Sequence, residues 1–463
     1  MTAQVIVMNK HGLAVATDSA VTVSNGNGRK AFNSADKLFS LSKHHPIGVM
    51  IYNSSYFLDT PWELIIKEFR AELGNKSFDT VEDYFIEFLN FTKQNFINDE
   101  NWSDSLFQKV HYNFQLLIKQ LVNETNKEIE SVLQTSDVFT GEYILEFDKT
   151  LNEYYQIIVL KNFIELSDME KEVFKEKNYF NYDYDEMLEI YHELKDRLYI
   201  SLKNLHDELG DGFGRSFSGN STPEQNNWRI DALSSILVMD YLEKFGESYS
   251  GIVFMGYGKN DLYPSFTERK IAGAIKNRVK VKFEDSSQKR VSSKRRSYIE
   301  GFAQADVIES FTNGISKEAL HKIRKTLFNG LSEYTMEYFE KEFNEVAATD
   351  LEEDKKVKIE IDQASLNELS LELVRQIALS YNPQRRQILN TVSTFSKLQL
   401  AELANTLVES TSFKQKVSMT LESVGGPVDV AVISKHEGFI WISRKHYFEA
   451  ELNQDYLNRN GRE

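Results

Sequence analysis

The feature that most constrains this chain stands at its start. Two short apolar runs, Gln4-Val5-Ile6-Val7-Met8 and Leu13-Ala14-Val15-Ala16-Thr17, flank the turn Asn9-Lys10-His11-Gly12. Short strand-forming runs around a polar, glycine-ended turn predict a β-hairpin that begins with the first residues. A basic region followed by an apolar core, the mark of a secretory signal, is not seen there, so the reading expects no signal peptide.

More strands follow. Residues 19–34, rich in Ser, Asn and Gly, read as a loop. Lys37-Leu38-Phe39-Ser40-Leu41 and Gly48-Val49-Met50-Ile51-Tyr52 read as strands joined across His44-His45-Pro46, giving four antiparallel strands in the first 55 residues. Thr60-Pro61-Trp62-Glu63 predicts a helix start, with Thr60 as N-cap, proline at the first helical position and a carboxylate three residues after the cap.

From about 76 to 220 the chain is dense in Phe, Tyr, Leu, Glu and Lys. Apolar residues fall at helical spacing, as in Leu116-Leu117-Ile118, Leu121-Val122 and Ile129, and in Tyr191, Leu194, Leu198 and Leu202. Such stripes predict helix-on-helix core. Only six prolines interrupt 463 residues, which suits long helices. The stretch 210–222 reads as a flexible exit. Trp228–Phe245 reads as a helix, 252–256 and 279–283 as strands, and Tyr298–Val307 as a further strand. A second helical block runs from about 316 to 382. Ser396-Lys397-Leu398-Gln399 is a capping box opening a helix to Val408. The chain closes with 427–433 and 439–443, a hairpin turning at His436-Glu437-Gly438. Strands, helices, strands, helices, strands in that order predict an α+β fold, a sheet sandwich flanked by helices with two large helical insertions.

Composition narrows the chemistry. With no cysteine, disulfides, a thiol nucleophile and thiolate metal sites are excluded, and a reducing cytoplasm is the expected compartment. The formal charge of −16 argues against broad nucleic-acid binding. No run approaches the length of a membrane span. Nine histidines show no metal-ligand spacing, so no metal and no cofactor are expected. Gly256-Tyr257-Gly258 lacks the third glycine of a dinucleotide fingerprint and reads as a turn. Lys289-Arg290 and Lys294-Arg295-Arg296 read as a solvated hairpin tip, with a docking patch for an acidic partner as the alternative.

The second residue is threonine. Removal of Met1 would place a hydroxyl and an α-amine on one residue, and an amine with pKa near 8 can take the hydroxyl's proton near neutral pH. The runs Thr2-Ala3-Gln4-Val5-Ile6-Val7 and Gly12-Leu13-Ala14-Val15-Ala16-Thr17-Asp18-Ser19 resemble the opening of proteasome β-type subunits and their bacterial relatives, the peptidase HslV and the Anbu group. In those families an aspartate follows the threonine by sixteen residues, where Asp18 stands, and a lysine opens the third strand, where Lys37 stands. Ser423-Val424-Gly425-Gly426-Pro427 resembles the family's Ser-Gly-Gly turn.

The resemblance implies an N-terminal-nucleophile (Ntn) hydrolase with a four-layer αββα sandwich. It implies Thr2 as nucleophile and base, Asp18 and Lys37 as its electrostatic support, and Ser423 as a catalytic serine. The backbone N–H at Tyr52 would serve the oxyanion, although the family usually has glycine there. Thr22 would pair with substrate backbone. The family's supporting aspartate falls on Leu421, with Glu422 adjacent but off register, and Ser310 is a weak candidate for a remaining serine. The matched core would comprise 1–75, 228–314 and 385–463, with 76–227 and 315–384 as insertions that match no pattern of the family. The implied activity is peptide or amide hydrolysis in the cytoplasm on a peptide or unfolded protein. A homo-oligomer is the implied assembly, with an ATPase as a candidate partner. An inactive assembly scaffold and a small-amide acylase of the same fold are the alternatives.

Overall fold

A computed structural model describes residues 2–25, 28–32, 35–130, 141–172, 179–209, 222–246, 248–282, 288–331, 363–418, 425–446, 448–449 and 452–453. The chain is α+β, with antiparallel sheets and helices. The first hairpin is as its pattern predicts: β1 (Ala3–Asn9) pairs with β2 (Gly12–Thr17), Gln4 opposite Thr17 and Asn9 opposite Gly12. Both strands are buried throughout.

Residues 19–34 are not the loop that their composition suggests. Val21–Asn25 (β3) and Gly28–Phe32 (β4) form a hairpin of their own. The alternation Val21-Thr22-Val23-Ser24 outweighs the polar content. β5 (Leu38–Ser40) and β6 (Ile47–Asn53) pair as predicted, but in a different sheet from β1 and β2. The Thr60 cap fails as well. Thr60-Pro61 (β8) pairs with Tyr56-Phe57 (β7), and the helix Trp62–Leu73 starts after Pro61 with no side-chain cap.

Later in the chain come β9 (Ser250–Gly256), β10 (Ser265–Ile275), β11 (Arg278–Lys282), β12 (Gln288–Arg290), β13 (Ser297–Ala303), β14 (Asp429–Ser434) and β15 (Gly438–Ser443). The first sheet has the order β13-β1-β2-β14-β15 and the second β11-β10-β9-β6-β5, with β12 also on β10. β13 ends at Ala303, and the helix Asp306–Asn313 follows, so the strand predicted to Val307 stops short.

Alternation sorts the strand side chains. Ala3, Val5 and Val7 join a cluster with Leu400, Ala401, Ala404 and Leu407 of the helix Lys397–Val417. That helix opens with the predicted Ser396 capping box. Ile6, Met8, Leu13 and Val15 pack instead with Met50, Val253 and Met255 of the second sheet. The opposite face of the second sheet, including Val49, Ile252 and Phe254, packs with Trp62, Phe69, Phe85 and Phe88 of the helices Trp62–Leu73 and Val81–Phe96. The same apolar cluster runs on through Phe147, Phe163, Tyr191, Leu194 and Leu198, so the helices of the 76–227 segment share a core with the second sheet. Leu121 is buried in it, whereas Leu116 is exposed.

The stretch 210–221 lies outside the described residues. No described helix is long and apolar enough to cross a membrane.

Candidate active site

Thr2 precedes β1 and falls in the alternation of Gln4, Ile6 and Met8, the row that faces the second sheet. Its carbonyl accepts from Gln304 N–H at 3.0 Å, just beyond the end of β13. Asp18 follows β2, one residue past the hairpin ladder, and its N–H donates to Ala3 O at 3.1 Å. Lys37 immediately precedes β5 on the other sheet, and its carbonyl accepts from Ile51 N–H at 2.9 Å. The sixteen-residue interval and the sheet-to-sheet packing thus bring three distant residues to one place.

All three are buried: Thr2 is 5% exposed, Lys37 4% and Asp18 0%. Lys37 Nζ donates to Thr2 Oγ1 at 2.9 Å, to Asp18 Oδ1 at 2.8 Å and to Ala20 O at 2.5 Å. Three acceptors match the three protons of an ammonium. Asp18 has donors on both oxygens. Ala3 N–H reaches Oδ1 at 3.1 Å and Gly425 N–H reaches Oδ2 at 3.1 Å. Burial nevertheless pushes Asp18 above the usual carboxylate range, against the opposing charge and hydrogen bond of Lys37. Burial likewise pulls the Lys37 ammonium below its ordinary value. Asp18 opposes that shift, Lys445 adds to it, and Asp429 opposes it. An ammonium donating to a hydroxyl lowers the cost of negative charge on that oxygen.

The C-terminal turn is part of the same place. Besides donating to Asp18, Gly425 accepts from Ser19 N–H at 3.2 Å, and Ser19 Oγ donates to Pro427 O at 2.6 Å. Ser423, Leu421 and Glu422 lie outside the described residues. Thr22 stands in β3 with its backbone opposite Ala31, so the strand is paired on one edge. Ser310 is not brought to the site. It is exposed on the helix Asp306–Asn313, where its hydroxyl donates to Asp306 O at 2.7 Å.

Tyr52 is corrected in its role as oxyanion donor. Tyr257 N–H donates to Pro46 O and Ser54 N–H to Tyr249 O, on either end of the β6–β9 ladder. Antiparallel pairs alternate, so Tyr52 turns its N–H towards Gly251 of β9. Ile51, by contrast, donates to Lys37, and the next N–H on that side belongs to Asn53. Asn53 is exposed, at φ 67°, beyond the start of β5. Nor does the Tyr52 side chain hang free. It is buried among Tyr249 and Phe302, its hydroxyl donates to Glu268, and its ring fills the space where a Cβ on residue 251 would stand, which is why glycine occurs there.

Sequence reasoning missed two further groups. Gln4 is fully buried and bridges the sheets, donating to Thr17 Oγ1 at 3.0 Å and to Ile51 O at 2.7 Å. A polar residue in a strand's inward row was the available signal. Asp36, Asp429 and Lys445 form an ion group beside Lys37. Nothing in local spacing links residues almost four hundred positions apart. Among the described residues, no cluster of His, Asp or Glu is arranged to hold a metal ion. No family model, curated protein or solved structure matches the chain.

Proposed function

We propose that this chain is an N-terminal threonine hydrolase of amide bonds, built on the four-layer αββα sandwich of Ntn hydrolases, with Thr2 as its nucleophile once Met1 is removed. The observation that carries the reading is a single buried ammonium, on Lys37, that donates at once to Thr2 Oγ1 and to Asp18. The order of apolar clusters, with helices outside each of two facing sheets, supports the sandwich.

In this reading Thr2 Oγ attacks the substrate carbonyl, and a C–O bond forms. The hydroxyl proton passes to the freed α-amine of Thr2, directly or through water, and from there to the leaving nitrogen as the C–N bond breaks. Water then hydrolyses the resulting ester, releasing the acid and returning the proton to Thr2 Oγ. Lys37 lowers the cost of negative charge on Oγ, and Asp18 holds Lys37 in line. The oxyanion falls to a backbone N–H at the end of β6, for which Asn53 is better directed than Tyr52. The substrate is a peptide or unfolded protein, the setting cytoplasmic, and the assembly a homo-oligomer open to an ATPase partner. These last assignments follow the resemblance to proteasome β-type subunits and their bacterial relatives.

The test is covalent labelling by a threonine-directed epoxyketone, read by intact mass. Wild-type protein should gain one adduct and Thr2→Ala none. Equal labelling of both would sink the proposal. A wild-type protein that has lost Met1 yet takes no adduct would favour the inactive scaffold.

A further inference from the structure

The Thr2–Lys37–Asp18 arrangement borders a second ionic group to which the reaction above gives no part. The Lys445 side chain, in the segment after β15, is only 10% exposed. Its ammonium lies 3.3 Å from Asp36 Oδ1 and bonds Asp429 Oδ2, while its own N–H donates to Asp429 Oδ1 at 2.8 Å. Asp429 begins β14 opposite Thr17, the residue before Asp18, and its side chain is 3% exposed. Asp36 is the residue before Lys37. One side chain therefore ties together three stretches that meet at the site.

Stability alone does not account for such a group. Burying an ion cluster costs desolvation that its Coulomb energy only roughly repays, and packed apolar residues commonly serve a fold as well. Placement beside a reacting centre gives the charges a use. Among the described residues, the charged groups facing this point are Asp18 from β2, Asp36 and Lys37 at β5, Asp429 from β14 and Lys445.

Resting on the threonine reading, we propose that Lys445 is a positioning residue for the reaction at Thr2: through Asp36 it fixes the backbone that carries Lys37, and it sets a second positive charge beside the site. A cation there disfavours protonation of its neighbours, so Lys37 and the Thr2 amine release protons at lower pH than they would without it. Its removal leaves Asp36 and Asp429 uncompensated, which acts in the same direction.

The experiment measures the rate of epoxyketone adduct formation from pH 5 to 10 on the full chain. Lys445→Met should move the acid limb upward by about 0.5–1 pH unit, slowing labelling below that limb by ~3–10-fold. Lys445→Arg, which keeps the charge, should restore the wild-type limb. Asp36→Asn removes a carboxylate and should move the limb downward. A folded Lys445→Met protein with an unmoved limb, or a Lys445→Arg protein with the limb of Lys445→Met, overturns the proposal. Should Lys445→Met fail to fold, Asp36→Asn decides, and an unmoved limb there overturns it. Thr2→Ala is run alongside. Labelling of that variant refutes the threonine reading itself, whereas its silence with an unmoved Lys445→Met limb refutes only the role of Lys445.

Discussion

Among the described residues two lysines are buried almost completely, and they are held in opposite ways. Lys37, between the sheets, faces a carboxylate, a hydroxyl and one carbonyl. Lys280, on β11, has no carboxylate bonded to it among the described residues. Its ammonium donates to Tyr241 O and, at 2.5 Å, to Lys244 O, the carbonyls that close the helix Pro223–Glu243. Rings of Tyr179, Phe180 and Tyr241 surround it with centroids 5.9, 5.3 and 4.6 Å away. A cation at a helix C-terminus meets the negative end of the dipole, and aromatic faces add to that attraction. Burial, with help from nearby Lys109, lowers Lys280 to about 7. The helical side of the molecule thus uses a buried lysine to close a helix. The sheet side uses one to link the Thr2 hydroxyl and a carboxylate. Burial alone does not distinguish the two lysines; their partners do.

The largest expected difference follows from those partners. Lys37→Met leaves Asp18 buried without its counter-ion and should cost ~3–5 kcal/mol in urea unfolding, besides slowing labelling by ~100-fold or more. Lys280→Met strands only carbonyls and should cost ~1–3 kcal/mol, with labelling unchanged. A greater loss from Lys280→Met would break the comparison.

Titration sharpens it. Lys280 binds its proton less tightly folded than unfolded, so between about pH 7 and the ordinary lysine range the unfolded state holds more protons. Stability should therefore rise with pH across that window, by ~5 kcal/mol from this group. Unfolding of Lys280→Met should lack that share of the slope; an identical slope would contradict it.

Smaller effects test the edges of the site. Asn53 tolerates φ 67° better than a branched residue does. Asn53→Val should cost ~1–2 kcal/mol and slow labelling, while Asn53→Gly should keep both near wild type. Labelling by Asn53→Val at the wild-type rate would remove Asn53 from the oxyanion role. Smallest, Ser396→Ala should cost ~1 kcal/mol through loss of its cap without touching the labelling rate, measured by thermal unfolding.

The same contrast explains what was legible in the sequence. β1, β2, β6, β14 and β15 are short apolar runs beside turn residues, and their signal is local. Asp18 and Lys37 were found because a resemblance supplied their intervals. β10 escaped, since Glu268-Arg269-Lys270 breaks its apolar character; in the fold Glu268 accepts from Tyr52 and Arg269 pairs with Glu82. Thr60 had the chemistry of a cap but was taken by a strand pair with Phe57. Lys445 and Asp429 were hidden for the reason that makes them interesting, because their relation to Lys37 exists only once the C-terminal hairpin has packed beside β2.

The central claim is that Lys37 is aimed at a nucleophile on Thr2. Its most direct measurement is the mass and fragmentation of native protein after epoxyketone treatment, with Lys37→Met and Thr2→Ala in parallel. The account predicts a chain without Met1, one adduct localised to Thr2, slow adduct formation in Lys37→Met and none in Thr2→Ala. A chain that retains Met1, or an adduct on any other residue, would contradict it.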